Sequence, residues 1–124
     1  MKFQPDSIAD ANVVSRQEEG RVWVGTNAYT TNVLVPWQGA VLPWEAPSIE
    51  SLTPGHFEQI LALEPEVVIF GSGPRLRFVK PVLLRALIDR RIGVETMDTA
   101  AACRTYNVLV SERRSVVAAL LLQA

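Results

Sequence analysis

A chain of 124 residues, 48% hydrophobic and 20% charged, has the size and composition of one folded domain, which excludes a disordered or low-complexity protein. Its formal charge of -1 leaves no overall field to draw it to nucleic acid or to an anionic membrane. One cysteine and one histidine exclude an internal disulfide and a cluster of soft ligands, so neither a structural metal nor a metal cofactor is expected.

The opening stretch, "MKFQPDSIADANVV", carries acids and a proline where a secretory signal would need an apolar run. It also lacks the arginine-rich, acid-poor make-up of a mitochondrial presequence. No segment approaches the roughly twenty apolar residues needed to cross a bilayer. The expectation is a cytoplasmic protein without membrane insertion, built as a single domain over residues 1–124.

"NVVSRQ" and "RVWVG" are strand-like runs that flank Glu18-Glu19-Gly20, a β-hairpin pattern. The β-branched run "AYTTNVLVP" and then "GAVLPW" continue the antiparallel character. Trp37 and Trp44 each follow a proline, which limits a strand to an edge or an end. Rings at such a margin serve either as packing or as an exposed aromatic pair for a partner, which makes Trp37 and Trp44 the candidate interface.

The pattern changes after Ser51. Thr53 supplies an N-cap and Pro54 the first helical position, and Phe57, Ile60 and Leu61 fall on one helix face, which predicts a helix over 54–63. "EVVIFG" has the unbroken apolar run of a strand buried on both faces. Pro81 opens a second helix, "PVLLRALIDRR", with Gly93 marking its stop before a strand over 92–96. Asp98 or Thr99 caps a third helix, "AAACRTYNVLV", and "SVVAALLL" reads as a buried strand or, alternatively, a helix. This alternation predicts an α/β domain whose 67–70 and 92–96 strands run parallel.

In such a sheet, ligands sit at the carboxyl ends of parallel strands. Those ends are the turns Gly71-Ser72-Gly73 and Met97-Asp98-Thr99. Free amides there, with Arg75, Arg77 or Arg104 nearby, suit an anionic small molecule. The dinucleotide fingerprint fails because Leu76 replaces its third glycine and Pro74 removes a donor. There is no Walker lysine, and Phe70 and Pro74 stand where a nucleophile elbow needs glycines around Ser72. The favoured reading of "GSGPR" is therefore a tight strand exit. His56 in a first helical turn, an isolated Cys103, and the Glu95–Asp98 carboxylates complete no catalytic constellation.

From Gly71 onward the spaced motifs form a longer signature: Gly71 and Gly73, Gly93 to Glu95, Met97 and Thr99, Thr105-Tyr106-Asn107, and Glu112 to Val116. In this order they resemble the Mth938-like domain family of unknown function (DUF498 type), related to a mitochondrial assembly factor of respiratory complex I. The resemblance covers nearly the whole chain, more weakly in the first forty residues. Arg113-Arg114 departs from it, since either arginine fits the family's single position.

The resemblance implies a three-layer fold: a central mixed β-sheet flanked by helices, with an N-terminal β-hairpin extension. It brings no catalytic residues. What it implies is a non-catalytic interaction or assembly module whose partner is a protein, with a subunit of the respiratory NADH dehydrogenase (complex I) as the named candidate. Tyr106 and Asn107 have two readings: packing and hydrogen bonding to a neighbouring turn, or lining the cleft beside Gly73.

Overall fold

The computed structural model describes residues 10–122; most of the amino-terminal stretch read for targeting signals lies outside them. Strands β1 (Val14–Glu18), β2 (Arg21–Val24) and β3 (Asn27–Tyr29) form an antiparallel three-stranded sheet. The expected hairpin is its first half. Gly20, at φ 79°, takes the left-handed turn position that a side chain would strain.

A second sheet contains β4 (Val33–Pro36), β5 (Leu42–Pro43), β6 (Val67–Gly71), β7 (Gly93–Met97) and β8 (Val116–Leu120), in the order β5-β4-β8-β6-β7. β6 runs parallel to β7 and β8, while β4 runs antiparallel to β8. The sheet is therefore mixed. "SVVAALLL" resolves as strand because β8 is central, and its five residues are buried on both faces.

Side chains alternate across this sheet and divide the core in two. Val33, Val35, Val67, Ile69, Val116 and Ala118 face one cluster with α3 (Thr99–Ser111) and the small sheet. Leu34, Val68, Phe70, Val117 and Ala119 face the other, with α1 (Pro54–Glu58) and α2 (Arg85–Asp89). Helices, sheet, and helix with hairpin make three layers.

Two helix ends differ from expectation. The helix starting at Pro54 tightens to a 3-10 turn over Gln59–Leu63, and Glu64 leaves it in the left-handed region at φ 52°. Pro65 accounts for the helix ending there, because the right-handed helical region is disfavoured for a residue before proline. Similarly, Pro81–Leu84 is 3-10 before α2 begins. Gly93 does not stop that helix; it is the first residue of β7. Arg91 at φ 61° is the terminator, with the Ile92 N–H donating back to the Leu87 carbonyl. Helix α3 ends in the same way through Arg113 at φ 62° and the Arg114 N–H to the Leu109 carbonyl.

The tryptophans do not form an exposed pair. Trp44 is 2% exposed, edge-on to Phe57 and Phe70 at 5.7 and 6.1 Å, and its Nε1 donates to the His56 carbonyl. Trp37 packs half-buried against the opposite cluster. Adjacent in sequence pattern, the two rings serve opposite faces of the sheet. The physical cause is local: the chain turns between β4 and the Pro43-Trp44 segment, which carries the second ring into the aromatic core.

Candidate functional site

β6 and β7 are neighbours with Gly71 opposite Met97, so the two turns do meet. They meet by hydrogen bonding to one another. The Ser72 N–H donates to the Met97 carbonyl, the Thr99 N–H to the Gly73 carbonyl, and the Gly73 N–H to Thr99 Oγ1, each at 2.9 Å. Thr99 Oγ1 in turn donates to the Leu121 carbonyl at 2.7 Å. A single buried hydroxyl thereby ties the carboxyl ends of β6 and β8 to the start of α3.

Ser72 holds the next bend. Its Oγ donates to the Arg75 carbonyl at 2.7 Å and accepts the Arg77 N–H at 3.0 Å. Asp98 caps α3 by accepting the Ala101 N–H at 2.9 Å. The amides of Ser72, Gly73, Thr99 and Ala101 therefore have partners within the protein. Gly71 has no room for a side chain: a Cβ there would lie 2.9 Å from Thr99 Oγ1 and 3.0 Å from Leu120 Cδ2.

Above these turns lies a hollow of about 220 Å³, and its rim comes from an element the sequence reading did not place there. Gln17, Glu18, Glu19 and Gly20 of the β1–β2 hairpin overhang Gly73, Asp98 and Thr99. Of the expected cleft residues, only those last three line it. Neither Arg75 nor Arg104 does. The lining of the hollow includes Glu19, the capping Asp98, and Glu18 paired with Arg16, but no arginine or lysine, so the turn amides bond within the protein and no cation borders them for an anion.

Tyr106 and Asn107 are not among the residues lining the hollow, and Asn107 bonds a distant strand instead of a neighbouring turn. Tyr106 is fully buried, with its hydroxyl 2.7 Å from the Asn12 carbonyl and 3.1 Å from that of Pro36. Burial holds its phenol well above the usual range. Asn107 accepts the Val14 N–H at 2.9 Å and donates to the Val14 carbonyl at 2.8 Å. Both residues dock the hairpin onto α3. Glu95 is exposed on β7 and borders a separate hollow with Thr105, Glu66 and Arg114.

Residues 14–121 match the model of a protein family of unknown function, DUF498/DUF598. The chain belongs to the DUF498 family. It is 36% identical over 121 residues to the NADH dehydrogenase [ubiquinone] 1 alpha subcomplex assembly factor 3 of Bos taurus, covering 96% of this chain and 65% of that protein. The chain thus spans just under two-thirds of the length of this relative. Among solved structures, a protein from Bordetella parapertussis superposes with a TM-score of 0.86 at 34% identity, over 91% of this chain and 97% of that one. A Mth938-like domain from Bordetella pertussis gives 0.84 at 28% identity, over 100% and 94%.

The remaining reactive side chains of this DUF498 chain have structural work. Burial pushes the Cys103 thiol up to about 12, so at neutral pH it is a packed apolar group and not a thiolate nucleophile. His56 is not simply a solvated helix residue: Nδ1 accepts the Thr53 N–H at 2.9 Å, and Nε2 lies 2.9 Å from the Glu45 carbonyl. A histidine three residues after the cap was the available signal for this latch. Of the two arginines where this chain departs from the family pattern, Arg113 supplies the backbone turn. Arg114 reaches Glu66 Oε1 at 3.2 Å. Among the described residues no group of three or more His, Cys, Asp or Glu could hold a metal ion, and no helix is long and apolar enough to cross a membrane.

Proposed function

We propose that this chain acts without catalysis, as an interaction module that assists assembly of a respiratory NADH dehydrogenase. The observation that carries the proposal is the 36% identity to the bovine assembly factor across 96% of the chain. The aligned region spans nearly the whole of this chain. The chemistry of the turns supports the non-catalytic part: Ser72, Thr99, Asp98 and the amides around them bond to one another. The sole thiol is buried and protonated.

The test is a tagged full-length chain expressed at its native level, isolated under gentle lysis, with co-purifying proteins identified by mass spectrometry. Recovery of NADH dehydrogenase subunits is expected, together with lowered NADH oxidation by membranes from cells lacking the chain. Isolation of the chain alone, together with normal NADH oxidation by membranes from cells lacking the chain, would overturn the proposal.

A further inference from the structure

The balanced net charge conceals one segment of a single sign. Between Glu66 and Asp89 the sequence holds Arg75, Arg77, Lys80 and Arg85 and no acid. In its middle, residues 76–80 carry no helix or strand, and their exposure alternates. Arg77 and Val79 turn inward: Arg77 pairs with Glu50, and Val79 packs against the α1–α2 core cluster. Leu76, Phe78 and Lys80 turn outward, as extended backbone requires.

The outward side chains are unusual for a surface. Phe78 is 72% exposed and Leu76 53%, and Val82, after Pro81, is 54% exposed. Arg75, Lys80 and Arg85 enter none of the ion pairs formed among the described residues. Exposed apolar side chains interleaved with unpaired cations are the chemistry of an interfacial segment, in which apolar groups enter the headgroup boundary while cations meet anionic lipid phosphates.

We propose that the 75–85 segment is a peripheral docking surface for an anionic lipid membrane, with Leu76, Phe78 and Val82 seated at headgroup depth and Arg75, Lys80 and Arg85 held against lipid phosphates. Charge complementarity selects the occupant. Arg77 pairs with Glu50 beside Phe78, and the segment itself holds no acid, so its own outward side chains carry only positive charge. This inference stands independently of the assembly role, because it rests on exposure and charge and not on the relatives.

The experiment is co-sedimentation of the full chain with vesicles of equal parts phosphatidylglycerol and phosphatidylcholine, and with vesicles of phosphatidylcholine alone. Binding is expected to the first and not to the second, and it should weaken as salt is raised. F78S should lower the apparent affinity about tenfold, since a partly inserted aromatic ring supplies much of the apolar term. R75Q/K80Q/R85Q should lower it at least as much. Both sets of positions are exposed, so unchanged melting temperatures will verify that the variants remain folded. No sedimentation of the parent chain, or binding by F78S and the triple variant equal to the parent, overturns the proposal. If the parent ignores vesicles while F78S loses a co-purifying protein, the surface receives a protein and the lipid assignment is wrong.

Discussion

The side-chain amide of Asn107 stands in for a strand beside Val14, giving and receiving the two hydrogen bonds that a neighbouring backbone would supply. This contact lies at Val14, where the pairing of β1 with β2 is irregular, and it joins the hairpin to α3. Replacing Asn107 with Ala leaves both Val14 groups without that partner. The expected cost is about 2 kcal/mol, or roughly an 8 °C fall in Tm for a chain of this size. Asn107→Asp should not restore stability, because it sets an acceptor against the Val14 carbonyl. Hydrogen exchange provides the check: amides of β1 and β2 should exchange faster in Asn107→Ala while those of β6 and β8 lag behind. Exchange of all four strands in step would show that Asn107 does not control hairpin docking.

Much of the main sheet was legible because its signals are local. An unbroken apolar run specified β6, and Gly71-Ser72-Gly73 specified its exit. The parallel pairing of β6 with β7 followed from the intervening helix. Contacts across the chain were not legible. Val14 and Asn107 are 93 positions apart, and no periodicity announces that an amide will complete a strand. The acidic rim of the hollow was missed for the same reason, since Glu18 and Glu19 were read as a turn without knowledge of where the turn would dock. Arg91 and Arg113 occupy left-handed positions that a sequence reader assigns to glycine; each costs about 1 kcal/mol of backbone strain, offset by the hydrogen bonds that close the helix end.

Thr99 is buried, and its hydroxyl bonds both the Gly73 N–H and the Leu121 carbonyl. Thr99→Val keeps the shape and strands both the Gly73 N–H and the Leu121 carbonyl, at an expected cost of about 2 kcal/mol. Thr99→Ser retains both bonds and should cost under about 1 kcal/mol. Chemical denaturation of the three proteins decides this. A stable Val variant beside a destabilised Ser variant would mean that the methyl packing of Thr99 matters and its hydroxyl does not.

Alkaline pH should unfold the protein through two buried acids. Cys103 titrates at 9.0 when unperturbed and about 12 in the folded chain, so the folded state favours the protonated thiol. Its contribution is therefore complete below about pH 9 and is lost as pH rises towards 12, at up to ~1.4 kcal/mol per pH unit. Tyr106, raised from 10.0 by burial, adds a second loss that begins about one unit higher. Stability measured against pH should therefore fall in the parent from about pH 9. In Cys103→Ala, which is less stable at neutral pH because of the lost packing, the decline should begin nearer pH 10. The same onset in both proteins would refute this role for the thiol.

The glycine turn makes an equally definite prediction about ligands. A ligand that binds only the native state raises stability by RT ln(1 + [L]/Kd). An anion approaching Gly73 would find the amides of Gly73, Thr99 and Ala101 already donating, and Glu18, Glu19 and Asp98 around the hollow. Arg75 and Arg104, which would have to offset that repulsion, are exposed and outside the lining. Phosphate, carboxylate metabolites and nucleotides should consequently leave Tm unchanged, and Arg75→Ala and Arg104→Ala should respond as the parent does. A saturable rise in Tm that disappears in either variant would mean that the turns open to expose their amides, and would return the Gly71–Gly73 loop to consideration as an anion site.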